Sequence, residues 1–349
     1  MKVAFSPYKN ETNKYIEILI NLLRRNGIRV IPLKHKETFL STNIVHLNWF
    51  ESLNSDSKIV GLVILFIKIL ALLSFKILNI KIGTTLHNRA GHDKKTQGLQ
   101  NCLMKLTIRM ASFIVIHSHE SKQILKQEFK ITNEEKIFYV PHPNYVNVYG
   151  KVFFSPSQRN RLRLLFLGAV KPYKNLELLI DIVKKYPDFV ELTVAGAPKN
   201  AEYAEIIKRS VRDLNNVNLD LRFIEDSEIP TFLSTCDILV LPYDMSSSLN
   251  SGSAYLAFSY GKTVLCPEIG TINDLESKEY VLTYTYKDRE EHMSKLTEKV
   301  NEAVEFWKND KKIFAKWGLY MKKYVENEHS DEKVISSLLR VYNHVTKNN

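Results

Sequence analysis

Strand-like and helix-like segments alternate along almost the whole chain of 349 residues, and the alternating series occurs twice. A short apolar run, a helix-length segment and a second apolar run are typical of βαβ units, which build parallel sheets. The stretch 141–161, rich in Pro, Asn and Ser, interrupts the alternation and is typical of a linker. The pattern therefore predicts an α/β protein with two doubly wound, Rossmann-like domains, in which ligands bind at the carboxyl ends of the strands.

The predicted elements follow directly from these runs. In the first series we predict strands at 2–6, 28–33, 44–47, 80–86, 112–117 and 137–140, and helices at 12–26, 58–79, 96–110 and 118–129. In the second series we predict strands at 162–168, 189–196, 217–223, 237–243 and 262–268, and late helices at 288–308, 311–326 and 331–346. The expected domains are therefore 1–150 and 151–330, with a further C-terminal helix in 331–349.

The charge is distributed unevenly between the two series. Residues 1–150 contain 21 Lys and Arg against 10 Asp and Glu, a net charge of +11, whereas residues 151–349 contain 28 of each. A basic surface on one domain indicates an anionic partner, such as nucleic acid, acidic lipid headgroups or a phosphorylated substrate.

Residues 59–80 form an apolar stretch that is long enough to span a bilayer, although Lys68 and Lys76 interrupt it. Three interpretations remain open from the sequence: a buried domain helix, a helix that lies on the membrane surface, and a true span. Lys58 and Lys76 fall at the same helical angle and Lys68 lies about 80° from them, so we expect a narrow basic stripe that meets an anionic membrane surface.

The strongest local signal lies in the second series. Gly168 closes a predicted strand, and Lys171 and Lys174 precede a helix that starts at Leu176. A strand, a Gly turn and a helix N-terminus form an anion site, because unpaired N–H groups and the helix dipole point towards the ligand. An ordinary βα loop with solvated lysines is the alternative interpretation of this segment.

A second segment has the same character. The strand 237–243 leads into small polar residues before the next helix: Asn250, Ser251, Gly252 and Ser253. Such residues cap helices and allow close backbone approach, and their amides and hydroxyls can hold a diphosphate without a metal. Two anion sites at neighbouring strand ends predict a nucleoside diphosphate ligand.

Several segments resemble those of GT-B fold glycosyltransferases, in particular bacterial glycosyltransferase family 4 of surface-polysaccharide synthesis. The similar segments are FLGAVKPYKNLELLI (166–180), LTVAGAP (192–198), 222–243, LNSGSAYLAFSYGKTVLCPEIG (249–270), TLHN (85–88), VIHSHES (115–121) and VPHPNY (140–145). The resemblance implies two domains that face a cleft, a last helix that packs back on the first domain, and closure of the cleft when the donor binds.

The resemblance also implies roles for individual residues. Lys174 and Lys171 would contact the donor diphosphate, with Gly168 and residues 250–253 completing the site, and UDP and GDP donors fit equally. The Arg that usually follows the glycine is replaced by Ala169. The family's pair of glutamates would fall at Ser248 and Leu256, neither of which is acidic.

The first domain supplies the acceptor-side candidates. His87 follows a predicted strand, and the resemblance places such a histidine near the transferred sugar, so that His87, Lys171 and Lys174 are the predicted catalytic residues. The other candidates near strand ends and in the linker are Asn88, His92, Asp93, His117, His142, Asn144 and Tyr145. The spacing of these histidines matches no zinc site and no DxD sequence occurs, so we expect neither a metal nor any cofactor.

The resemblance thus implies transfer of a sugar from a nucleoside diphosphate donor to a lipid-linked saccharide, with retention at the anomeric carbon. The alternatives are an inverting transferase of the same pathway and a non-catalytic protein that binds membranes or nucleic acid. The lysines are scattered among apolar helices rather than interleaved with aromatic residues, which argues against nucleic acid as a partner. Because no apolar leader precedes the first predicted strand, we expect a cytoplasmic protein held peripherally at the inner face of the plasma membrane.

Overall fold

In a computed structural model the chain is described over residues 1–9, 13–53, 55, 57–90, 95–151 and 160–347. Its contacts divide it into two units. Unit 1 contains Met1–Pro143 and His329–Asn349, and unit 2 contains Asn144–Glu328. The chain therefore returns to unit 1 at its C-terminal end.

Unit 1 contains six parallel strands. They are β1 Lys2–Ser6, β2 Arg29–Pro32, β3 Ile44–Asn48, β4 Lys81–Thr85, β5 Phe113–Ile116 and β6 Ile137–Tyr139. The helices between them are α1 Tyr15–Arg25, α2 Thr38–Ser41, α3 Lys58–Ile77, α4 Gln97–Met110 and α5 His119–Gln127. The strand order is β2-β1-β3-β4-β5-β6, so the chain reverses its direction across the sheet between β1 and β3.

Unit 2 contains a second sheet of six parallel strands. They are β7 Leu162–Leu167, β8 Val190–Ala195, β9 Val217–Asp220, β10 Ile238–Val240, β11 Thr263–Pro267 and β12 Leu282–Tyr284. The helices are α6 Leu176–Val183, α7 Ala201–Ser210, α8 Ile229–Thr235, α9 Gly252–Ser259, α10 Gly270–Asn273, α11 Arg289–Asn309 and α12 Ile313–Glu328. The strand order is β12-β11-β10-β7-β8-β9.

The predicted fold class, α/β with two parallel sheets, is confirmed. Alternation of side chains along each strand explains how both faces of a sheet become buried. In β1, Val3 and Phe5 join one apolar cluster with α1, whereas Ala4 joins another with α3 and α4. The sequence pattern does not predict β12, α2 or α10, each of which has only three or four residues.

The last helix, α13 Asp331–Lys347, is part of unit 1. Val334, Leu338 and Tyr342 are buried in the same apolar cluster as Phe5 and Phe113. The Tyr342 hydroxyl also lies 2.6 Å from Nδ1 of the buried His46. A segment nearly two hundred residues from β6 therefore completes the core of unit 1.

Helix α3 is not a buried core helix. It is long and apolar enough to cross a membrane by length and composition, with a mean hydropathy of 2.4, yet only 17% of that window is buried. Only four of its residues are buried, namely Gly61, Leu65, Leu72 and Phe75.

Candidate active site

The two predicted anion-binding segments lie at the topological switch point of the second sheet. Strands β7 and β10 are neighbours, and the later strands extend away from this pair in opposite directions. Gly168 follows β7 directly, and the loop 241–251 connects β10 to α9. In doubly wound sheets the crevice outside the carboxyl ends of such strands is where ligands bind.

Specific contacts hold these segments against each other. The side-chain amide of Asn175 donates to the carbonyl of Pro242 at 3.0 Å, and the Asp244 amide donates to the carbonyl of Tyr173 at 3.2 Å. A Cβ placed on Gly168 would lie 3.9 Å from the Ser253 hydroxyl oxygen. The structure thus brings the loop after β7 and the N-terminus of α9 into one site.

Lys174 points its charge into this site. It ends a short 3-10 turn, Pro172–Lys174, after which Asn175 takes a left-handed conformation (φ 51°) and α6 begins. Its ammonium nitrogen lies 3.7 Å from the ring centroid of Tyr243, and within the described residues it makes no ion pair or hydrogen bond. Burial lowers the pKa of Lys174 below its ordinary value, as expected for a cation that lacks an anionic partner.

Lys171 has a different environment. It is half-buried, it precedes the turn, and its carbonyl accepts the amide of Lys174 at 2.9 Å. The two predicted lysines therefore lie at the two ends of the same turn.

The N-terminus of α9 is capped and still offers donors. Ser251 is the N-cap, and its hydroxyl accepts the amide of Ala254 at 3.1 Å and contacts the Tyr243 hydroxyl at 3.3 Å. The amides of Gly252 and Ser253 take no part in these capping contacts. Unpaired first-turn amides and the helix dipole favour an anion at this end.

Asn250 is the one residue of this segment whose side chain is left unsatisfied. Both its Oδ1 and its Nδ2 are buried without a hydrogen-bond partner among the described residues. A buried amide that lacks partners costs roughly 1–3 kcal/mol, so such groups usually bind water or a ligand.

No carboxylate replaces the missing acidic pair in the part of this loop that the structure describes. Ser248 and Leu256 are both half-buried. The nearby Asp244 uses Oδ1 to accept the amide and hydroxyl of Ser246, at 2.9 and 2.8 Å. Asp244 therefore stabilises the turn in which it lies.

In unit 1 an aromatic and imidazole cluster lies beyond the carboxyl ends of several strands. We call this set the imidazole cluster; it contains Tyr15, Trp49, His87, His117 and His142. The rings of Trp49 and His87 stack with centroids 4.0 Å apart, and Tyr15 meets His87 edge to face at 5.1 Å.

His87 is held as a neutral imidazole. Its Nε2 lies 2.9 Å from Oδ1 of Asn48, which requires Nε2 to carry the proton and leaves Nδ1 as an acceptor. Burial, followed by the neighbouring His117 and His142, keeps the pKa of His87 well below 6.5. His87 can therefore accept a hydrogen bond from a hydroxyl at neutral pH.

His117 and His142, predicted on the acceptor side, are buried and support the cluster from within. The Nδ1 of His117 donates to the carbonyl of Val140 at 2.8 Å, so its Nε2 accepts from the Tyr15 hydroxyl, also at 2.8 Å. The Nδ1 of His142 donates to the carbonyl of the next residue, Pro143, at 2.8 Å. These contacts orient Tyr15 and the cluster rather than present either imidazole to solvent.

Glu51 is a candidate that the sequence analysis missed. It lies three residues beyond β3, and its carboxylate accepts from the Asn88 side chain at 3.5 Å. With His87 and Asn88 it lines one small cavity. Burial is the main cause that raises the pKa of Glu51 above its ordinary value, so the carboxyl is a candidate general base. The sequence signal was an isolated acid just after a buried strand.

The remaining acceptor-side candidates are not part of the imidazole cluster of unit 1 as the structure describes it. Asn144 and Tyr145 belong to unit 2, where Asn144 contacts the carbonyl of Val325 at 3.4 Å and the Tyr145 amide donates to Ser259 at 2.8 Å. His92 and Asp93 lie outside the described residues. Within the described ranges no group of three His, Cys, Asp or Glu residues is placed to hold a metal ion.

Sequence comparison finds a family match that lies within unit 2. Residues 161–302 match the family model described as Glycosyl transferases group 1. A GDP-mannose:glycolipid 4-beta-D-mannosyltransferase of Xanthomonas campestris pv. campestris is 26% identical over 273 residues, which cover 76% of this chain and 73% of the relative.

Solved structures share the fold over nearly the whole chain. Anabaena HepE in complex with UDP and glucose has a TM-score of 0.70 at 14% identity, covering 97% of this chain and 98% of HepE. A glycosyltransferase from Rickettsia africae has a TM-score of 0.67 at 15% identity and covers 100% and 98% of the two chains. These solved structures show that the chain has the GT-B fold.

Proposed function

We propose that this chain is a glycosyltransferase that transfers a sugar from a nucleoside diphosphate sugar to a lipid-linked saccharide. The observation that carries the donor proposal is the convergence at the switch point of unit 2. There Lys174, Asn250 and the N-terminus of α9 lie in one loop cluster. Among the described residues the Lys174 ammonium has no anionic partner and the buried Asn250 amide has no hydrogen-bond partner.

Each group has a part in releasing the leaving diphosphate. Negative charge grows on the diphosphate as the glycosidic bond breaks, and preorganised donors aimed at that charge lower the barrier. We assign this role to Lys174, Lys171 and the amides of Gly252 and Ser253. Because these donors supply the positive charge, we propose a reaction that needs no metal, and activity in the presence of a chelator tests that statement.

The donor and acceptor classes rest on the relatives. The Xanthomonas relative is named for GDP-mannose and a glycolipid, and HepE binds UDP and glucose. We therefore place GDP-mannose first among the donors to test and UDP-glucose second. A glycolipid acceptor fits an enzyme of cell-surface polysaccharide synthesis that works at the inner face of the plasma membrane.

On the acceptor side we assign His87 to the transferred sugar or the attacking hydroxyl. Its unprotonated Nδ1 can accept a hydrogen bond from a sugar hydroxyl without the repulsion that a charged imidazolium would give. Asn88 lies one residue further along the same loop.

Retention at the anomeric carbon is the outcome implied by the resemblance to family 4. Inversion is the second candidate, because the half-buried Glu51 offers a general base beside Asn88 and the relative is named for a beta linkage. NMR of the product made from GDP-α-mannose decides between them. In the inverting case Glu51→Gln should remove the acidic limb of the pH–rate profile, since the raised pKa of Glu51 would set that limb.

Thermal shift against a panel of nucleotide sugars tests the donor proposal. A ligand at 100 times its Kd stabilises the folded state by about 2.7 kcal/mol, so the right donor raises the melting temperature clearly. The double variant Lys174→Ala with Asn250→Ala should lose this shift. If no nucleoside diphosphate or nucleotide sugar changes the melting temperature of the wild-type chain, the donor proposal is wrong.

A further inference from the structure

The outward surface of α3 is apolar over its whole length. Nine of its twenty residues are large apolar side chains that are exposed, among them Ile59 (76%), Phe66 (62%), Leu70 and Ile77 (83%). Near it on α2 the side chain of Leu40 is 80% exposed, and the Phe39 ring stacks on that of Phe75. Exposed apolar surface of this extent marks an interaction site.

Helix α3 packs on the rest of unit 1 through a narrow stripe of residues along one face. At about 100° per residue, Gly61, Leu65, Lys68, Leu72 and Phe75 fall within about 40° of one line along the helix. The four apolar members of this stripe are its buried residues. Ile64, Ile69 and Ala71 flank this stripe and are partly buried against the same core, and the opposite side of the helix is left for another partner.

Lys68 belongs to the inner stripe. Its ammonium donates to the carbonyls of Phe50 and Ser52, at 2.8 and 2.7 Å, and lies 4.7 Å from the Phe50 ring centroid. The expectation that Lys68 contributes to an outward basic stripe is therefore wrong. Its inward position removes the charge that would otherwise interrupt the apolar surface.

The polar groups on the outward surface form their hydrogen bonds within the helix. Ser74 is its one hydroxyl between the two ends, and that hydroxyl donates to the Leu70 carbonyl at 2.9 Å. The helix satisfies its own backbone hydrogen bonds, and Ser57 caps its first turn through the amide of Val60. Such a surface can enter hydrocarbon without leaving hydrogen bonds unmade.

Positive charge surrounds this surface. Lys58 and Lys76 are exposed at opposite ends of α3, and Lys105 and Arg109 are exposed on α4, which packs against α3. Between residues 57 and 119 the sequence contains nine Lys and Arg residues and a single acidic residue, Asp93. Two copies meeting through this surface would bring like charges together, whereas anionic lipid headgroups would neutralise them.

We propose that α3 lies flat in the interface of an anionic bilayer, with its outward side chains among the acyl chains and its flanking lysines at the headgroups. The helix is about 30 Å long, and its inner stripe stays packed on unit 1, so the chain rests on one leaflet. This inference does not depend on the transferase proposal, although it would place the chain where a lipid-linked acceptor is found.

Vesicle co-sedimentation tests the proposal with the full chain. The wild-type protein should bind phosphatidylglycerol-containing vesicles, and high salt should weaken the binding. Phe66→Ser with Leu70→Ser should lower the affinity by roughly tenfold or more, because both side chains leave the hydrocarbon. Lys58→Glu with Lys76→Glu should weaken binding to anionic vesicles.

The matched control changes two exposed apolar residues of unit 2, Leu319→Ser with Phe223→Ser, and should leave vesicle binding unchanged. The proposal is overturned if the wild-type chain does not bind vesicles, or if the α3 variant binds as the wild type does. It is also overturned if light scattering shows a dimer that the α3 variant dissociates. Thermal unfolding is measured on the same samples. The melting temperature without donor reports whether each variant folds, and its rise with donor tests the transferase proposal separately.

Discussion

Lys174 is partly removed from water in the structure, although its side chain carries a positive charge. Its ammonium lies over the Tyr243 ring and has no carboxylate among the described residues, so burial lowers its pKa. The ring partly replaces the water that the cation loses, while its charge remains available to a diphosphate.

Replacing Lys174 by Ala should lower turnover by a factor on the order of 10², since it removes one preorganised donor to the leaving group. The melting temperature should not fall, because a half-buried cation without an anionic partner is removed. Lys185→Ala, an exposed lysine of the same unit, serves as the control and should leave turnover unchanged. Near-normal turnover of the Lys174 variant would contradict the assignment.

The buried histidines of unit 1 predict a dependence of stability on pH. Burial lowers the pKa of His46 to about 3 and that of His117 to about 4, whereas an unfolded histidine titrates near 6.5. Between these values the unfolded chain binds more protons than the folded chain, so stability falls as the pH falls below about 6.5.

We expect each of these histidines to contribute up to about 1.4 kcal/mol per pH unit to that loss. Urea titrations between pH 7 and pH 5 measure the slope, and His46→Gln should reduce it. Asn343→Gln, a change between two non-ionisable side chains at an exposed position, is the control that should leave the slope unchanged. A free energy of unfolding that stays constant on acidification would show that the buried imidazoles gain protons without unfolding.

At the scale of elements, the proposed donor site depends on how closely the ends of β7 and β8 approach each other. A Cβ placed on Gly196, which follows β8, would lie 1.9 Å from the carbonyl oxygen of Gly168, and Gly196 has a φ of 150°. Both the contact and the backbone conformation require glycine. Because Gly196 has no side chain, Gly168 can lie directly against it, and the loop after β7 can take the position in which it contacts α9.

Gly196→Ala should therefore move Gly168 and weaken the site. We expect a loss of about 2 kcal/mol in the free energy of unfolding and a lower affinity for nucleoside diphosphates. Gly98→Ala, where an added Cβ meets no atom within 4 Å, is the matched control and should be neutral or slightly stabilising. Denaturant unfolding and calorimetric titration with GDP and UDP measure both effects; wild-type affinity in the Gly196 variant would refute the argument.

At the scale of the whole molecule, unit 1 is formed from both ends of the chain. Helix α13 adds Val334, Leu338 and Tyr342 to a cluster built on β1, α1 and β5. Unit 2, in contrast, is continuous from Asn144 to Glu328 and has its own apolar core.

A chain that ends at Glu328 should therefore lose unit 1 and keep unit 2. Limited proteolysis should degrade residues before 144, because removal of α13 exposes the apolar surface that it covers, while the donor-induced thermal shift of unit 2 should persist. A chain that ends at Lys347 is the control and should behave as the full chain does. Resistance of residues 1–143 in the shorter chain would contradict this division of the core.

The sequence by itself determined the class of fold and the position of the two candidate anion-binding segments. Alternating apolar runs separated by helix-length segments build parallel sheets, and the Gly168 turn and the 250–253 segment are local patterns whose chemistry is carried by neighbouring residues. Most predicted strand bounds therefore agree with the observed ones within one or two residues.

Only the tertiary structure decided which distant residues meet and which faces are covered. Glu51 reaches Asn88, and Lys174 reaches Tyr243, because the order of the strands places those loops side by side. In α3 nearly every position is apolar, so hydropathy cannot distinguish the packed face from the exposed one. The buried face is the one that carries four small or apolar residues and the inward-pointing Lys68. A helix buries the face against which its neighbours can pack closely.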